Sequence, residues 1–166
     1  ARRFGRAEEN LFINGHGVTN QTGFLSVSES VNAKETNTLS YDEIVELYFS
    51  IEAEYRKDAV FIMNDETAFY LRTLKDDDGN YLWNSNNDTI FGKEVITSPY
   101  MPSIESGKQP IIFGDLSFYW VIERKPLAIQ VLSELYKNQG QIGFIGYERV
   151  DGKLIRPEAV KTIKMA

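Results

Sequence analysis

Helical spacing of apolar residues predicts three helices, over residues 2–13, 40–55 and 66–74. In the first helix the apolar positions fall one to four residues apart, at Phe4, Ala7, Leu11 and Phe12. The second helix begins with an S-x-x-E capping box, in which Ser40 and Glu43 each satisfy a backbone N–H group of the other. Asn64 is a suitable N-cap for the third helix, because its side-chain oxygen can accept a hydrogen bond from the first turn.

Short apolar runs bounded by turn residues predict strands over residues 24–27, 59–63, 94–97, 111–113, 118–123, 127–132 and 141–150. Lys125–Pro126 is predicted to turn the chain between two of these strands. Asp151–Gly152 is predicted as a hairpin turn of the primed type. In the last strand the pattern predicts that Ile142, Phe144 and Ile145 point inward.

The mixture of helices and strands predicts an α+β fold, with a mixed or antiparallel sheet flanked by helices. Residues 14–40 are mostly polar and are predicted as a long connection that contains one short strand. Connections of that length are usually functional or held by a partner. Residues 98–110 hold three of the five prolines and are predicted as an irregular loop, while Pro157 opens a short final turn.

The composition of the chain limits the classes of protein to which it can belong. With 166 residues, 42% of them hydrophobic and 25% charged, the chain is predicted to form a globular domain. The net charge of −6 disfavours non-specific binding to nucleic acid, because the protein repels phosphate on average. The chain has no cysteine, which excludes disulfides, thiol nucleophiles and cysteine zinc sites. No apolar run approaches the roughly 18 residues of a membrane helix, so no membrane association is predicted.

The first residues suggest a longer gene product. The sequence does not begin with Met, and the first helix has no N-cap residue before it. We therefore expect the chain to follow a processing site or to be a fragment.

The sequence offers little for catalysis. His16, the only histidine, lies between two glycines in a polar loop, with no nucleophile or orienting partner nearby in the sequence. No P-loop, H-E-x-x-H, G-x-S-x-G or dinucleotide-binding pattern occurs. We therefore predict that the protein is not an enzyme, with no catalytic residue, cofactor site or cofactor.

An acidic segment is the one candidate for metal binding. Asp76, Asp78 and Asn80 are spaced as in part of a calcium-binding loop. The full pattern needs a glutamate where this chain has Ser85, so we favour an ordinary turn and predict no metal site. A calcium-dependent binding module or hydrolase that uses these three residues stays open as an alternative.

Five segments in a fixed order carry a family signal: residues 6–25, 59–82, 91–95, 111–117 and 142–160. They include Asn14-Gly15-His16-Gly17 with Thr22-Gly23-Phe24-Leu25, Ile111-Ile112-Phe113-Gly114-Asp115, and Arg156-Pro157-Glu158-Ala159. Together they resemble the C-terminal portion of the Hong Kong 97-type major capsid proteins of tailed bacteriophages and prophages. The resemblance covers nearly the whole chain, although Glu94 stands where the family usually has proline.

The resemblance implies the Hong Kong 97-like fold, without its N-terminal arm and E-loop. Residues 1–23 would be the end of the spine helix of the peripheral (P) domain and a connection. Residues 24–133 would form the axial (A) domain, 134–152 a strand segment of the P domain, and 153–166 the return to the A domain. With most inter-subunit parts absent, we expect this fragment to be a monomer or a weak ring.

The function that the resemblance implies is structural. Copies of the full-length protein would form hexamers and pentamers of an icosahedral shell that encloses double-stranded DNA without binding it specifically. A scaffolding protein and a prohead protease would be further partners. The protein would lie in the virion capsid, assembled in the bacterial host cytoplasm. An encapsulin-like nanocompartment shell, which has the same architecture, is the first alternative.

Some family members join their subunits through a Lys–Asn bond that a glutamate assists. By alignment, the asparagine position falls on Gly140 and the glutamate position on Tyr147. Asn138 and Glu148 lie two residues and one residue away, and a one-residue shift in a strand reverses the side-chain direction. We therefore expect no cross-link of this kind.

Overall fold

The computed structural model describes residues 2–18, 20–75, 79, 81, 83 and 89–166. Within these residues the helices are α1 (Arg2–Asn14), α2 (Phe24–Val27), α3 (Tyr41–Ser50), α4 (Ala53–Arg56) and α5 (Asp65–Thr73). The strands are β1 (Glu29–Asn32), β2 (Val60–Met63), β3 (Thr89–Ile90), β4 (Lys93–Thr97), β5 (Ile111–Gly114), β6 (Tyr119–Leu132), β7 (Gly143–Leu154) and β8 (Val160–Lys164). Three single 3₁₀ turns cover Leu116–Phe118, Lys137–Gln139 and Pro157–Ala159.

The fold is α+β, as predicted, with a mixed six-stranded sheet in the order β1-β8-β5-β2-β4-β3. β1 is parallel to β8 and β2 is parallel to β4, whereas the other pairs are antiparallel. Helix α5 connects β2 to its parallel neighbour β4, as such a crossover requires. β6 and β7 form a separate two-stranded antiparallel sheet.

The six-stranded sheet is covered on both faces. Phe61 of β2 stacks on Phe113 of β5 with ring centroids 4.2 Å apart, and both belong to the core that α3 and α5 complete. Ile62, the next residue of β2, points to the opposite face, where it packs in a second core with Ile13 of α1 and Phe24 of α2. The period of two in β2 therefore divides its side chains between two cores.

The start of α3 is fixed by the predicted capping box. The Ser40 hydroxyl accepts a hydrogen bond from the Glu43 backbone N–H at 3.3 Å, and the Glu43 carboxylate accepts one from the Ser40 N–H at 2.7 Å. The other oxygen of Glu43 accepts from the Lys34 N–H at 2.7 Å. Asn64 caps α5 by accepting from the Thr67 N–H, also as predicted.

The predicted strand over residues 24–27 is wrong, because these residues form the single helical turn α2. The turn places Phe24 against Tyr119, with ring centroids 4.4 Å apart, and so buries it in the second core. Strands β1, β3 and β8 were not predicted. β1 is a short edge strand, and its partner β8 lies more than 120 residues later in the sequence. β8 also pairs with β5 on its other side.

Two of the turns predicted in the C-terminal half are also wrong, whereas the turn predicted at Pro157 is present. β6 continues through Lys125–Pro126, where the register shifts between Lys125 and Ala128 absorb the proline. β7 continues through Asp151–Gly152, which pairs with Ile122 and Val121 of β6 rather than reversing the chain. Gly152 is needed for close packing, because a Cβ atom there would lie 2.3 Å from the Tyr119 hydroxyl.

Candidate functional site

The long hairpin of β6, the tip at residues 133–142, and β7, here called the ribbon, exposes many large apolar side chains. Those at least 40% exposed are Trp120, Val121, Ile122, Leu127, Ile129, Val131, Leu135, Ile142, Phe144 and Ile145. Monomeric soluble proteins rarely expose a continuous apolar patch of this kind. A two-stranded ribbon is also marginally stable by itself in water. Both properties indicate a surface that a partner covers.

The inward orientation predicted for Ile142, Phe144 and Ile145 is therefore wrong. Phe144 is 68% exposed and Ile142 is 63% exposed. The apolar pattern predicts burial within the chain, but in the structure these side chains are exposed. The signal that could have identified this surface is the apolar character of both alternating sets of residues, since an ordinary half-buried strand has one polar face.

The pairing register defines an outer apolar face on the ribbon. Val131 lies opposite Phe144, and Ile129 lies opposite Gly146 on the same side. We call Ile129, Val131 and Phe144 the distal face. A Cβ atom on Gly146 would lie 2.9 Å from the Phe4 ring, so the start of α1 packs on this side and the distal face extends beyond it.

Helix α1 lies along the ribbon from Tyr119 at its base as far as Gly146. Phe4 contacts the ribbon at Gly146, and Phe12, two turns later, packs edge-on against Tyr119 with ring centroids 5.5 Å apart. Glu8 lies midway between these aromatic residues, and its charge acts on the Glu148 carboxylate of the ribbon. The spacing of four residues puts all three α1 side chains on one helix face.

Carboxylates face each other along this contact between α1 and the ribbon. Partial burial, together with the nearby charges of Glu8 and Glu123, raises the pKa of Glu148. The described residues contain no group of three or more His, Asp or Glu side chains that could hold a metal ion. The like charges of Glu8 and Glu123 oppose the ionisation of Glu148.

The base of the ribbon is tied to the loop before α2. The Tyr119 hydroxyl donates a hydrogen bond to the Thr22 carbonyl at 2.9 Å, and the Gln21 side chain donates to the Val150 carbonyl at 2.8 Å. Burial and the charge of Asp151 raise the pKa of Tyr119 to about 12. The tyrosine therefore remains a neutral donor that anchors the ribbon.

Of the residues singled out for chemistry, only His16 lies in the part of the chain that the structure describes. His16 is exposed, and its backbone N–H donates to the Asn20 side chain at 2.9 Å. Asp76, Asp78 and Asn80 lie outside the described residues, so the calcium alternative stays a prediction. The longest described helix, α1, has 13 residues, and no described helix has the length and hydropathy of a membrane span.

The two positions aligned with the family cross-link lie on the ribbon. Gly140 is at the tip, with a left-handed backbone of φ 65°, and Tyr147 is on β7 under the Lys125 ammonium, 4.6 Å from the ring centroid. Glu148 points to the face of the ribbon opposite Tyr147. The absence of this cross-link stays a prediction.

Comparison with known proteins gives a consistent result. The model of the family described as "Phage capsid family" matches residues 1–165. No curated protein sequence matches the chain. Among solved structures, the capsid of an empty GTA particle has a TM-score of 0.89 and 30% sequence identity, over 99% of this chain and 63% of that chain.

More distant structures have the same fold. The chain from Gordonia phage Cozz has a TM-score of 0.74 and 13% identity, over 98% of this chain and 60% of that one. A virus-like particle from Pyrococcus furiosus has a TM-score of 0.64 and 14% identity, over 96% and 63% of the respective chains. This chain thus spans less than two thirds of the length of each of these structures.

Proposed function

This chain belongs to the phage capsid family, and from that premise we propose that it is the C-terminal part of a major capsid protein that builds a virion shell. The observation that supports this most directly is the exposed apolar ribbon. In a shell, each ribbon can lie against a neighbouring copy, so that its apolar side chains leave water. Each Å² of apolar area that is covered contributes about 25 cal/mol, which offsets part of the entropy lost on association.

The proposed mechanism is geometric. One fold occupies both hexamers and pentamers through head-to-tail contacts that close into rings. The net charge of −6 fits a container that encloses DNA without binding it specifically. Assembly in a bacterial host cytoplasm, with a scaffolding protein and a prohead protease, completes the proposal. The calcium alternative rests on residues outside the described part of the chain and stays a prediction. The encapsulin alternative has less support, because the family model and the structure at 30% identity are those of capsids.

We also propose a division into P and A domains that keeps the paired strands together. A boundary at residues 133 and 134 separates β6 from β7, although these strands pair along most of their length. Assigning α1 and the whole ribbon, residues 119–154, to the P domain avoids this. The six-stranded sheet with α3 and α5 then forms the A domain.

Electron microscopy of the full-length gene product tests the proposal. We expect shells, hexamers or tubular assemblies, and we expect Phe144→Asp to reduce them strongly, because it places a charge in the distal face. Val18→Asp is the matched control, since Val18 is 88% exposed but lies outside the ribbon. Monomers under all assembly conditions would contradict the proposed function, and equal assembly by both variants would contradict the role of the ribbon.

A further inference from the structure

A second exposed surface lies where α3 and α4 meet the six-stranded sheet, outside the ribbon. Arg56, Lys57 and Lys93 surround a shallow cleft of about 250 Å³, together with Tyr48. The Arg56 guanidinium lies over the rings of Tyr48 and Phe49, 5.3 and 5.0 Å from their centroids. We call these five residues the cationic patch.

The cations of the patch form no ion pair in the part of the chain that the structure describes. Among the described residues, none of its three cations has a carboxylate within 4 Å. The Lys93 ammonium donates to the backbone carbonyl of Lys57 at 2.7 Å, and the buried Arg56 Nε has no acceptor in the part of the chain described. Phe49 is 65% exposed beside these charges. Arginine and aromatic side chains in contact are typical of the energetic centres of protein interfaces.

An acidic surface, opposite in charge to the cationic patch, lies at the other end of strand β2. Asp65 and Glu66 form the exposed first turn of α5, and Phe69, one turn later, is 69% exposed. Lys57 precedes β2 and Asp65 follows it, while Lys93 opens the parallel strand β4. The cationic patch therefore lies at the amino ends of these strands, and the acidic turn lies at the carboxyl end of β2.

We propose that the cationic patch of one copy binds the start of α5 of a second copy. This inference rests on the proposed shell function and adds to it the residues of one contact. Opposite charges at opposite ends of one unit give a head-to-tail contact, the kind that closes into a ring. The exposed aromatic residue in each surface, Phe49 and Phe69, supplies apolar area beside the ion pairs.

Cysteine pairing tests the contact directly in a full-length protein in which any cysteine outside residues 1–166 is replaced by serine, because residues 1–166 contain none. The double variant Lys57→Cys/Asp65→Cys is expected to form covalent oligomers under mild oxidation, ending at closed rings. A bond within one chain is excluded, because β2 separates the two positions by roughly 13 Å and a disulfide needs Cα atoms within about 7 Å. Each single cysteine variant is the control and should give no ladder.

Charge reversal provides a second test. Lys57→Glu/Lys93→Glu should lower the yield of capsomers or shells about tenfold or more, because like charges then meet across the contact. Adding Asp65→Lys/Glu66→Lys should restore assembly. Lys164→Glu is the matched control on an exposed lysine of β8, and thermal melts confirm that each variant is folded.

The outcomes are distinguishable. Normal shells from Lys57→Glu/Lys93→Glu, with no ladder from the cysteine pair, overturn this contact but leave the proposed function intact. Normal assembly with weaker retention of DNA overturns it in favour of a phosphate-binding surface. Failure of the unmodified protein to assemble at all contradicts the proposed function itself.

Discussion

Glu43 shows how one buried carboxylate joins a loop to a helix. Burial opposes its ionisation, but the hydrogen bonds from the Lys34 and Ser40 backbone, the Ser40 hydroxyl and the charge of Lys34 lower its pKa overall. We expect Glu43→Gln to cost about 2 kcal/mol at pH 7, because charge-assisted hydrogen bonds to a buried group are lost. Urea unfolding measures this, with Glu46→Gln on the exposed face of α3 as the control.

The same residue predicts a pH dependence. Because the folded pKa of Glu43 is below its unfolded value, its contribution is present above about pH 4.5 and is lost as the pH falls through the folded pKa. The difference between the native protein and Glu43→Gln should therefore shrink on acidification. A constant difference from pH 7 to pH 3 would show that the carboxylate charge has no part in it.

The pKa of Glu148 is shifted in the opposite direction to that of Glu43, so its effect on stability changes with pH in the opposite sense. Its raised pKa means that the folded protein holds this proton more tightly than the unfolded chain, so stability falls as the pH rises through the folded pKa. Glu148→Gln removes repulsion with Glu8 and Glu123 and should raise the Tm at pH 7, with no gain below pH 4. Glu105→Gln, an exposed site outside the contact, should leave the Tm unchanged at both pH values.

Among the structural elements, the close packing of the ribbon on Tyr119 depends on Gly152, which lies inside β7 and not in a hairpin turn. A Cβ atom at this position would lie 2.3 Å from the Tyr119 hydroxyl, so Gly152→Ala should destabilise the protein by about 1–3 kcal/mol. Gly5, on the open side of α1, has no atom within 4 Å of such a Cβ. Gly5→Ala should instead stabilise the helix by up to about 1 kcal/mol, and thermal melts of the two variants compare these effects directly.

The predictability of each element follows from the range of its interactions. The capping box at Ser40, the Asn64 cap and strand β2 depend on neighbouring residues or on one continuous apolar run, and the sequence predicted all three. Asp151–Gly152 has a turn signature, but its conformation is decided by pairing with β6 about 30 residues earlier. For Ile142, Phe144 and Ile145 the sequence predicts burial in a core, because a pattern of apolar residues does not distinguish burial within a chain from burial between chains.

At the scale of the whole molecule, stability should differ between the two sheets. The ribbon has two strands and exposed apolar faces, whereas β5 lies inside the six-stranded sheet with both faces covered. We expect backbone amides of residues 127–147 to exchange hydrogen fastest in the unassembled protein and to become protected in shells. Exchange mass spectrometry of both states measures this, and equal protection before and after assembly would contradict a shell contact on the ribbon.

The position of β8 has a consequence for synthesis. β8 lies between β1 and β5, so residues 160–164 fill the gap between strands made much earlier. Because a chain leaves the ribosome from its N-terminus, the sheet stays open until this segment emerges. A product that stops before residue 160 would have β1 with no neighbour and β5 with an exposed edge. We expect such a product to leave the sheet incomplete, and therefore to be excluded from the proposed shell.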